Sequence, residues 1–263
     1  MSGAVQRLLR VPVERLVPGP CVLSKETSAY VARVHRLREG DAVVAFDPEQ
    51  AVQAHAVVLR IEDAGYRVTV EVSPPEPATV VASRRLTLIQ AIGKGDKMDA
   101  IVRDATELGA THIVPVISER SVVKLGDVGG RPARWRRIAV EAARQSGRGD
   151  APRVAPPALL AAAVSEVYTS PAPGLCVCLA PGAPPVLGDL FAALEPTDGV
   201  TIVVGPEGGL SEAEVNLCTQ SGFTACGLGG FVLRTETVCA AVLGALLIGA
   251  PSPKGARQSP SDR

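Results

Sequence analysis

Hydrophobic and polar residues alternate at a spacing of two in the first 72 residues of the chain. Tyr66–Val72 reads Tyr-Arg-Val-Thr-Val-Glu-Val, which is typical of a half-buried strand. Ala51–Ile61 is a second β-like run, and Gly40-Asp41 and Asp47-Pro48 supply turn residues. Several short strands within about 70 residues predict a small β-barrel.

The pattern breaks at Ser73–Ala78, where three prolines occur in six residues. Proline lacks a backbone N–H and has a fixed φ, so this segment is predicted to be a linker outside any sheet or helix. We therefore place a first domain at residues 1–73 and a second at residues 79–250.

Beyond the linker, strand-like and helix-like segments alternate. A continuous apolar run predicts a strand buried on both faces at Leu86–Ile92, and Leu175–Leu179 and Val200–Val204 are two more strands of this type. Further strands are predicted at His112–Ile117 and, as a short one, at Thr224–Leu228. Helical periodicity predicts a helix from about Asp96 with Gly109 as its stop and a helix from Pro132 to Ser146 that Gly147 ends. Two more helices are predicted, one from the capping box of Ser211 and Glu214 to near Gly222 and one from Thr235 to Ala250. This alternation predicts an α/β domain with a mostly parallel sheet, followed by a disordered tail at residues 251–263.

Composition narrows the class of protein. The 263 residues are 46% hydrophobic and 21% charged, which excludes wholesale disorder. The longest apolar run, Val238–Ala250, has 13 residues, whereas a bilayer span needs about 20. The first ten residues lack the apolar core of a signal peptide, and the six cysteines form no Cys-x-x-Cys pair. We expect a cytoplasmic protein with buried, reduced thiols, no membrane contact and no metal.

Charge is unevenly distributed although the totals balance. Residues 131–153 carry seven arginines and two acidic residues, whereas Val154–Leu233 has no lysine or arginine and seven acidic residues. A polyanion is therefore expected to meet the earlier part of the chain. Arginine suits phosphate recognition, but the excess of arginine over lysine is equally explained by a GC-rich genome.

Two glycine-rich turns follow buried strands. Gly205-Pro-Glu-Gly-Gly209 precedes a capped helix, and ligands of parallel α/β sheets bind at such carboxyl ends. It matches neither a dinucleotide-binding nor a P-loop motif, and a tight turn alone would also explain its glycines. Leu228–Leu233 leads into Arg234 and Glu236, which form either an ion pair at the start of the helix or a charged pair facing a pocket.

Two further segments carry basic residues near the ends of elements. Gly93–Lys97 has two lysines on a glycine-bearing loop, which is typical of a phosphate contact or of a solvated turn. Arg144–Arg148 ends the arginine-rich helix, where the helix dipole accounts for part of the charge.

These motifs together resemble one family. Gly93-Lys-Gly-Asp-Lys-Met, Glu107-Leu-Gly-Ala, Pro115–Lys124, Ala142-Ala-Arg-Gln-Ser-Gly-Arg, Gly205-Pro-Glu-Gly-Gly-Leu and Leu233-Arg-Thr-Glu-Thr follow the order and approximate spacing of the RsmE-type 16S ribosomal RNA uridine-N3 methyltransferases of the SPOUT superfamily. The resemblance covers about residues 5–250. It implies a PUA-like RNA-binding barrel, a trefoil-knotted α/β methyltransferase domain, S-adenosylmethionine as cofactor, a homodimer, and the small ribosomal subunit as partner.

The resemblance also implies site residues. Arg234, Glu236 and Glu207 are the catalytic candidates. The cofactor-binding candidates are Leu179, Ala180, Gly205, Pro206, Glu207, Gly208, Gly209, Leu228, Gly229, Leu233 and Thr235. The RNA-binding candidates are Arg33, Arg36, Arg38, Lys94, Lys97, Arg120, Lys124, Arg144 and Arg148. The family usually has Pro-Arg where this chain has Gly230-Phe231, which leaves Arg234 as the one expected cation there.

Uridine N3 carries a proton at neutral pH, so its methylation requires loss of that proton. Arg234 is expected to stabilise charge on a uracil oxygen. Glu207 or Glu236 is expected to accept the proton or to hold Arg234 in place. Three alternatives remain: a SPOUT enzyme acting on another RNA such as tRNA, a non-catalytic RNA-binding homologue, and an α/β enzyme for a small molecule.

Overall fold

The computed structural model describes residues 8–169, 174–184, 187–192, 194–195 and 199–249. Contacts divide the chain into two units. The first comprises residues up to Val81 together with Val140–Ala151, and the second comprises Ala82–Ala139 and the chain from Pro152 onward. The predicted tail at 251–263 lies outside the described residues, and the assignment of 1–73 and 79–250 as functional domains stays a prediction.

The first unit is built on strands, as the alternating pattern predicts. Its strands are β1 (Leu9–Pro12), β2 (Gly19–Val22), β3 (Ala42–Asp47), β4 (Val52–Glu62), β5 (Arg67–Val72) and β6 (Glu76–Pro77). The sheet order is β1-β3-β4-β5-β2, with β1 and β3 parallel and the other pairs antiparallel. Helix α1 (Lys25–Ala29) continues into a π-helix at Tyr30–Val34.

The linker prediction is wrong for part of Ser73–Ala78. Glu76 and Pro77 pair with Gln53 and Val52 of β4, and the Ala78 N–H donates to the Ala51 carbonyl. The two-residue strand lies off the main path of the sheet, where proline is tolerated because no ladder hydrogen bond needs its missing N–H.

The second unit contains one parallel sheet. Its strands are β7 (Leu86–Ala91), β8 (His112–Ile117), β9 (Arg153–Val154), β10 (Ala158–Leu159), β11 (Leu175–Leu179), β12 (Val200–Val204) and β13 (Thr224–Cys226). The order is β10-β8-β7-β12-β11-β13, with β9 also paired to β8. Every described pair is parallel, which confirms the predicted α/β class. The predicted knot stays a prediction.

Helices follow most of these strands. They are α2 (Lys97–Glu107), α3 (Arg131–Ser146), α4 (Leu160–Tyr168), α5 (Leu187–Ala192), α6 (Glu212–Gln220) and α7 (Thr235–Gly249). The α2 face predicted to be internal is buried at Met98, Ile101, Val102 and Ala105. Trp135 of α3 is 1% exposed, and its indole N–H donates to Asp99 at 3.1 Å. No helix among these residues is long and apolar enough to cross a membrane.

The α7 helix is apolar around its whole circumference. Cys239, Val242, Leu243 and Leu246 are buried in the core. Leu247 and Ile248 are exposed, Ile248 by 87%. The helix thus presents an uncovered apolar surface at its carboxyl end.

Five of the six cysteines are buried, as predicted, and Cys21 is partly exposed. Burial raises the pKa of the Cys226 thiol to about 11. Burial, with a smaller contribution from Asp104, raises the pKa of Cys239 to about 12. Both thiols are therefore protonated at neutral pH.

Candidate active site

Two loops and one helix start meet at the carboxyl edge of the parallel sheet. Strands β7 and β12 are neighbours, with Gln90 opposite Val204 near their ends. The Gly93–Lys97 loop and the Gly205–Gly209 turn therefore emerge side by side.

A buried chain of hydrogen bonds ties these strands to the start of α7. The Gln90 amide donates from Nε2 to Thr235 Oγ1 at 3.0 Å, and Thr235 Oγ1 donates to the Gly205 carbonyl at 3.0 Å. Gln90 is 0% exposed and Thr235 is 4% exposed. Since buried polar groups are costly to leave unpaired, this joint holds Arg234 and Glu236 in a fixed position relative to the turn.

Lys97 lies between the two candidate carboxylates. Its Nζ is 2.8 Å from Glu207 Oε1 and 3.8 Å from Glu236 Oε2. The Glu207 carboxylate also accepts a hydrogen bond from the Lys94 N–H at 3.1 Å. A Cβ at Gly93 would approach Glu207 Oε1 to 3.0 Å, so a glycine at this position leaves room for the carboxylate.

The pKa values of Glu207 and Lys97 shift in opposite directions. Burial opposes ionisation of Glu207, but hydrogen bonds from Lys97 and from backbone N–H groups outweigh it and hold the pKa of Glu207 below its ordinary value. The hydrogen bond to Glu207 raises the pKa of Lys97. Both groups are therefore charged at neutral pH.

Replacing Lys97 by methionine is expected to raise the pKa of Glu207, because the variant loses the cation while keeping much of the chain length. Because the pKa of Glu207 is lower in the folded protein than its value of about 4.3 in the unfolded chain, its ionised carboxylate stabilises the fold above pH 4.3. This stabilisation is lost as the pH falls through the pKa of Glu207 in the folded protein. Carboxyl titration by NMR measures the shift, with Arg103→Met on the exposed side of α2 as control. An unchanged Glu207 pKa in the Lys97 variant would contradict the conclusion that Lys97 lowers the pKa of Glu207.

The candidate pairing of Arg234 with either carboxylate is wrong, because Glu207 and Glu236 both face Lys97 instead. The Arg234 side chain is exposed and makes no hydrogen bond or ion pair with any other residue the structure describes. Its guanidinium is therefore available to a ligand.

The loop that follows β8 makes a hydrogen bond to the Gly205–Gly209 turn. Arg120 donates from Nη1 to the Gly208 carbonyl at 2.8 Å. The predicted capping box is confirmed: Ser211 Oγ accepts from the Glu214 N–H and Glu214 Oε2 accepts from the Ser211 N–H. Glu214 Oε1 also accepts from the Glu119 N–H at 2.7 Å, which links the β8 loop to α6.

Gly205 allows the closest backbone approach within the turn. A Cβ there would lie 2.9 Å from both the Gly209 carbonyl carbon and the Leu210 nitrogen. Any side chain at 205 must therefore displace the turn.

We expect Gly205→Ala to weaken S-adenosylmethionine binding at least tenfold, because the backbone that forms the turn must move. Gly230→Ala is the matched control, since a Cβ at Gly230 meets nothing within 4 Å. Calorimetric titration with the cofactor measures both variants. Equal affinities would show that the Gly205–Gly209 turn is only a structural turn.

The other predicted cofactor loops lie at the neighbouring strand ends. Leu179 closes β11, and the Ala180 N–H donates to the Cys226 carbonyl at 3.0 Å. Leu228 is half-buried, Gly229 has a φ of 108°, and Leu233 is 37% exposed. Phe231, which replaces the expected arginine, is 87% exposed.

The predicted RNA-binding residues fall into two groups. Arg33, Arg36, Arg38, Lys94, Arg120 and Lys124 are exposed. Lys97 instead pairs with the carboxylates, and Arg144 and Arg148 are buried with intramolecular partners. Arg144 pairs with Glu141 and lies over the Tyr30 ring, and Arg148 pairs with Asp150 at 2.7 Å. These two guanidinium groups are committed within the first unit, which does not support the predicted RNA contact.

Sequence reasoning missed Gln90, the role of Lys97 between two carboxylates, and the second contact of Glu214. Gln90 carried a usable signal, because an amide inside the apolar run Leu86–Ile92 has to find partners. The contacts of Lys97 and Glu214 depend on which strands are neighbours, which spacing alone does not reveal.

A parallel sheet with glycine turns and clustered charges at its carboxyl edge defines an α/β enzyme with its site at that edge. The family profile described as RNA methyltransferase domain matches residues 81–247. Ribosomal RNA small subunit methyltransferase E of Synechocystis sp. is 32% identical over 92% of this chain and 78% of its own length. The protein of that name from Mycobacterium bovis is 32% identical over 86% and 85%.

Two solved structures are similar over nearly the whole chain. A putative methyltransferase from Legionella pneumophila in complex with bound S-adenosylmethionine has a TM-score of 0.81 and 27% identity, covering 93% of this chain and 98% of its own. Ribosomal RNA small subunit methyltransferase E from Neisseria gonorrhoeae, bound to S-adenosylmethionine, has a TM-score of 0.79 and 30% identity, covering 91% and 97%. The chain belongs to the RNA methyltransferase family and, within it, to the ribosomal RNA small subunit methyltransferases E.

Proposed function

We propose that this protein transfers a methyl group from S-adenosylmethionine to N3 of a uridine in the 16S ribosomal RNA of the small subunit. The observation that carries the proposal is the edge cluster: Glu207 and Glu236 both lie against Lys97 at a glycine-lined turn, and the exposed Arg234 precedes α7 at the same edge. Family membership supports methylation of small-subunit RNA, and the charge cluster supports a nitrogen that must lose a proton.

The residues present fit this cofactor. Bound S-adenosylmethionine supplies an electrophilic methyl group on a positively charged sulfur. The chain from Val154 to Leu233, which includes the turns after β11, β12 and β13, has no lysine or arginine. Gln90 Oε1 is buried without a hydrogen-bond partner in the described chain, so an acceptor remains for a ligand N–H or O–H at this edge.

We assign the proton acceptor to Glu236. Its Oε2 is buried without a hydrogen bond and its nearest cation, Lys97, is 3.8 Å away. Glu207 is a weaker base, because Lys97 and the Lys94 N–H hold its carboxylate ionised. Arg234 stabilises the negative charge that develops on a uracil carbonyl oxygen as the proton leaves N3.

The RNA and assembly partners belong to the same proposal. Exposed Arg33, Arg36, Arg38, Lys94 and Lys124 bind the RNA, and an RNA substrate of the small subunit implies a cytoplasmic protein. The exposed apolar end of α7, with Leu247 and Ile248, packs against a second copy in a homodimer.

The test is methyl transfer from labelled S-adenosylmethionine to small ribosomal subunits that lack the modification, to naked 16S RNA and to bulk tRNA, followed by nucleoside analysis. We expect label in 3-methyluridine from the subunits. Label in tRNA would overturn the substrate, and cofactor binding without transfer to any of the three would overturn the assigned reaction.

A further inference from the structure

Unusual backbone conformations gather at one place in the first unit. Tyr30–Val34 forms a π-helix, a rare element that is frequent at functional sites. Arg36, Asp63 and Ala64 have φ values of 56°, 51° and 52°, and they are three of the four non-glycine residues with left-handed backbone in the described chain. Strained backbone persists only where the surrounding structure holds it in place, and such residues cluster at ligand sites.

A cleft of about 330 Å³ lies between these segments. Leu37 and Ile61 supply apolar lining, and Arg33, Glu62 and Asp63 supply polar groups. Its volume is at the small end of ligand sites, which run from about 300 to 1,000 Å³, and suits a single flat group.

Tyr66 provides a platform beside the cleft. Its ring is partly exposed, with the Arg33 guanidinium carbon 4.5 Å and Lys25 Nζ 5.3 Å from the ring centre. At Gly65, where φ is 87°, a Cβ would meet Arg33 Cγ at 3.0 Å, so glycine lets the arginine lie close. Aromatic rings and arginine planes are the surfaces on which unpaired RNA bases stack.

We propose that this cleft binds one unpaired nucleotide of the RNA substrate, a site separate from the methyl-transfer site. The base stacks on the Arg33 guanidinium, which Tyr66 supports from its ring face, and Lys25 pairs with the adjoining phosphate. Glu62 lies near Arg60 and Arg67, whereas the Asp63 carboxylate makes no ion pair with another described residue. In the proposed complex the Asp63 carboxylate accepts a hydrogen bond from a base N–H. The inference rests on the proposed RNA substrate and extends it to a defined contact.

The test measures binding of the full chain to a labelled, unstructured single-stranded heptaribonucleotide by fluorescence anisotropy, without cofactor. We expect Tyr66→Leu and Arg33→Lys to raise Kd about tenfold, since each removes a planar surface. Neither changes the number of cations, so the dependence of log Kd on log salt keeps its slope. Tyr66→Phe retains the ring and is expected to bind like the unmodified protein.

Matched controls are Tyr168→Leu on α4 and Arg103→Lys on α2, both at exposed positions outside the cleft. A blunt RNA duplex serves as the second probe, and its affinity should be unchanged because it offers no unpaired base. Wild-type affinity of both cleft variants for the single strand, or equal weakening on the duplex, would overturn the proposal. Because the assay measures RNA binding and not methyl transfer, its result can be interpreted even if the proposed reaction is wrong.

Discussion

Replacing Glu236 by glutamine is expected to lower kcat for methyl transfer by about 10²- to 10⁴-fold, the usual contribution of a general base. The amide preserves the shape of the side chain but cannot accept the N3 proton. Cofactor affinity should change little, because Glu236 acts on the nucleotide. Single-turnover rates of methyl transfer to small subunits measure the loss.

The matched variant is Glu207→Gln, which removes the other carboxylate of the same cluster. We expect a smaller loss in kcat, because Glu207 is held ionised by Lys97 and the Lys94 N–H and serves to join the two loops. If Glu207→Gln instead causes the greater loss in kcat, the roles of the two carboxylates are reversed.

Arg234→Ala is expected to lower kcat by about 10²- to 10³-fold, the range seen when one donor to a developing oxyanion is removed. Arg234→Lys should recover part of the rate, since it restores a charge without the planar fork of donors. Arg103→Ala, another exposed arginine, is the control and should leave the rate unchanged. Full turnover by Arg234→Ala would falsify the catalytic role of this residue.

Much of the fold was predictable because the chain marks its elements locally. The buried strands of the second unit are continuous apolar runs, and Ser211 with Glu214 forms the capping box that the spacing predicts. The prediction was wrong at Glu76–Pro77, where the proline count pointed to a linker, and β9, β10, α4 and α5 were not predicted. Pairing at a sheet edge depends on a partner strand, and local composition does not contain that information.

The candidate site was predictable in its segments and less so in its contacts. The Gly93–Lys97 loop, the glycine turn and the start of α7 were each identified from the sequence. Which charges meet was not, because Lys97 precedes both Glu207 and Glu236 by more than 100 residues and their contact follows from the pairing of β7 with β12. The burial of Arg144 was likewise hidden, since helix periodicity does not reveal that Tyr30 lies beneath its guanidinium.

The membership of residues 140–151 in the first unit has a consequence for synthesis on the ribosome. The strands of that unit are complete by residue 77, yet the segment that places Arg144 over Tyr30 and donates the Ala151 N–H to the Pro48 carbonyl emerges about 70 residues later. The hydrophobic core of the early strands lies within residues 9–72, so these strands have their own core before the later segment is added, by which time β7 and β8 of the second unit have already been made. A shortened chain ending near residue 81 would leave the Tyr30 ring uncovered, so the amino-terminal unit is best expressed with the rest of the polypeptide.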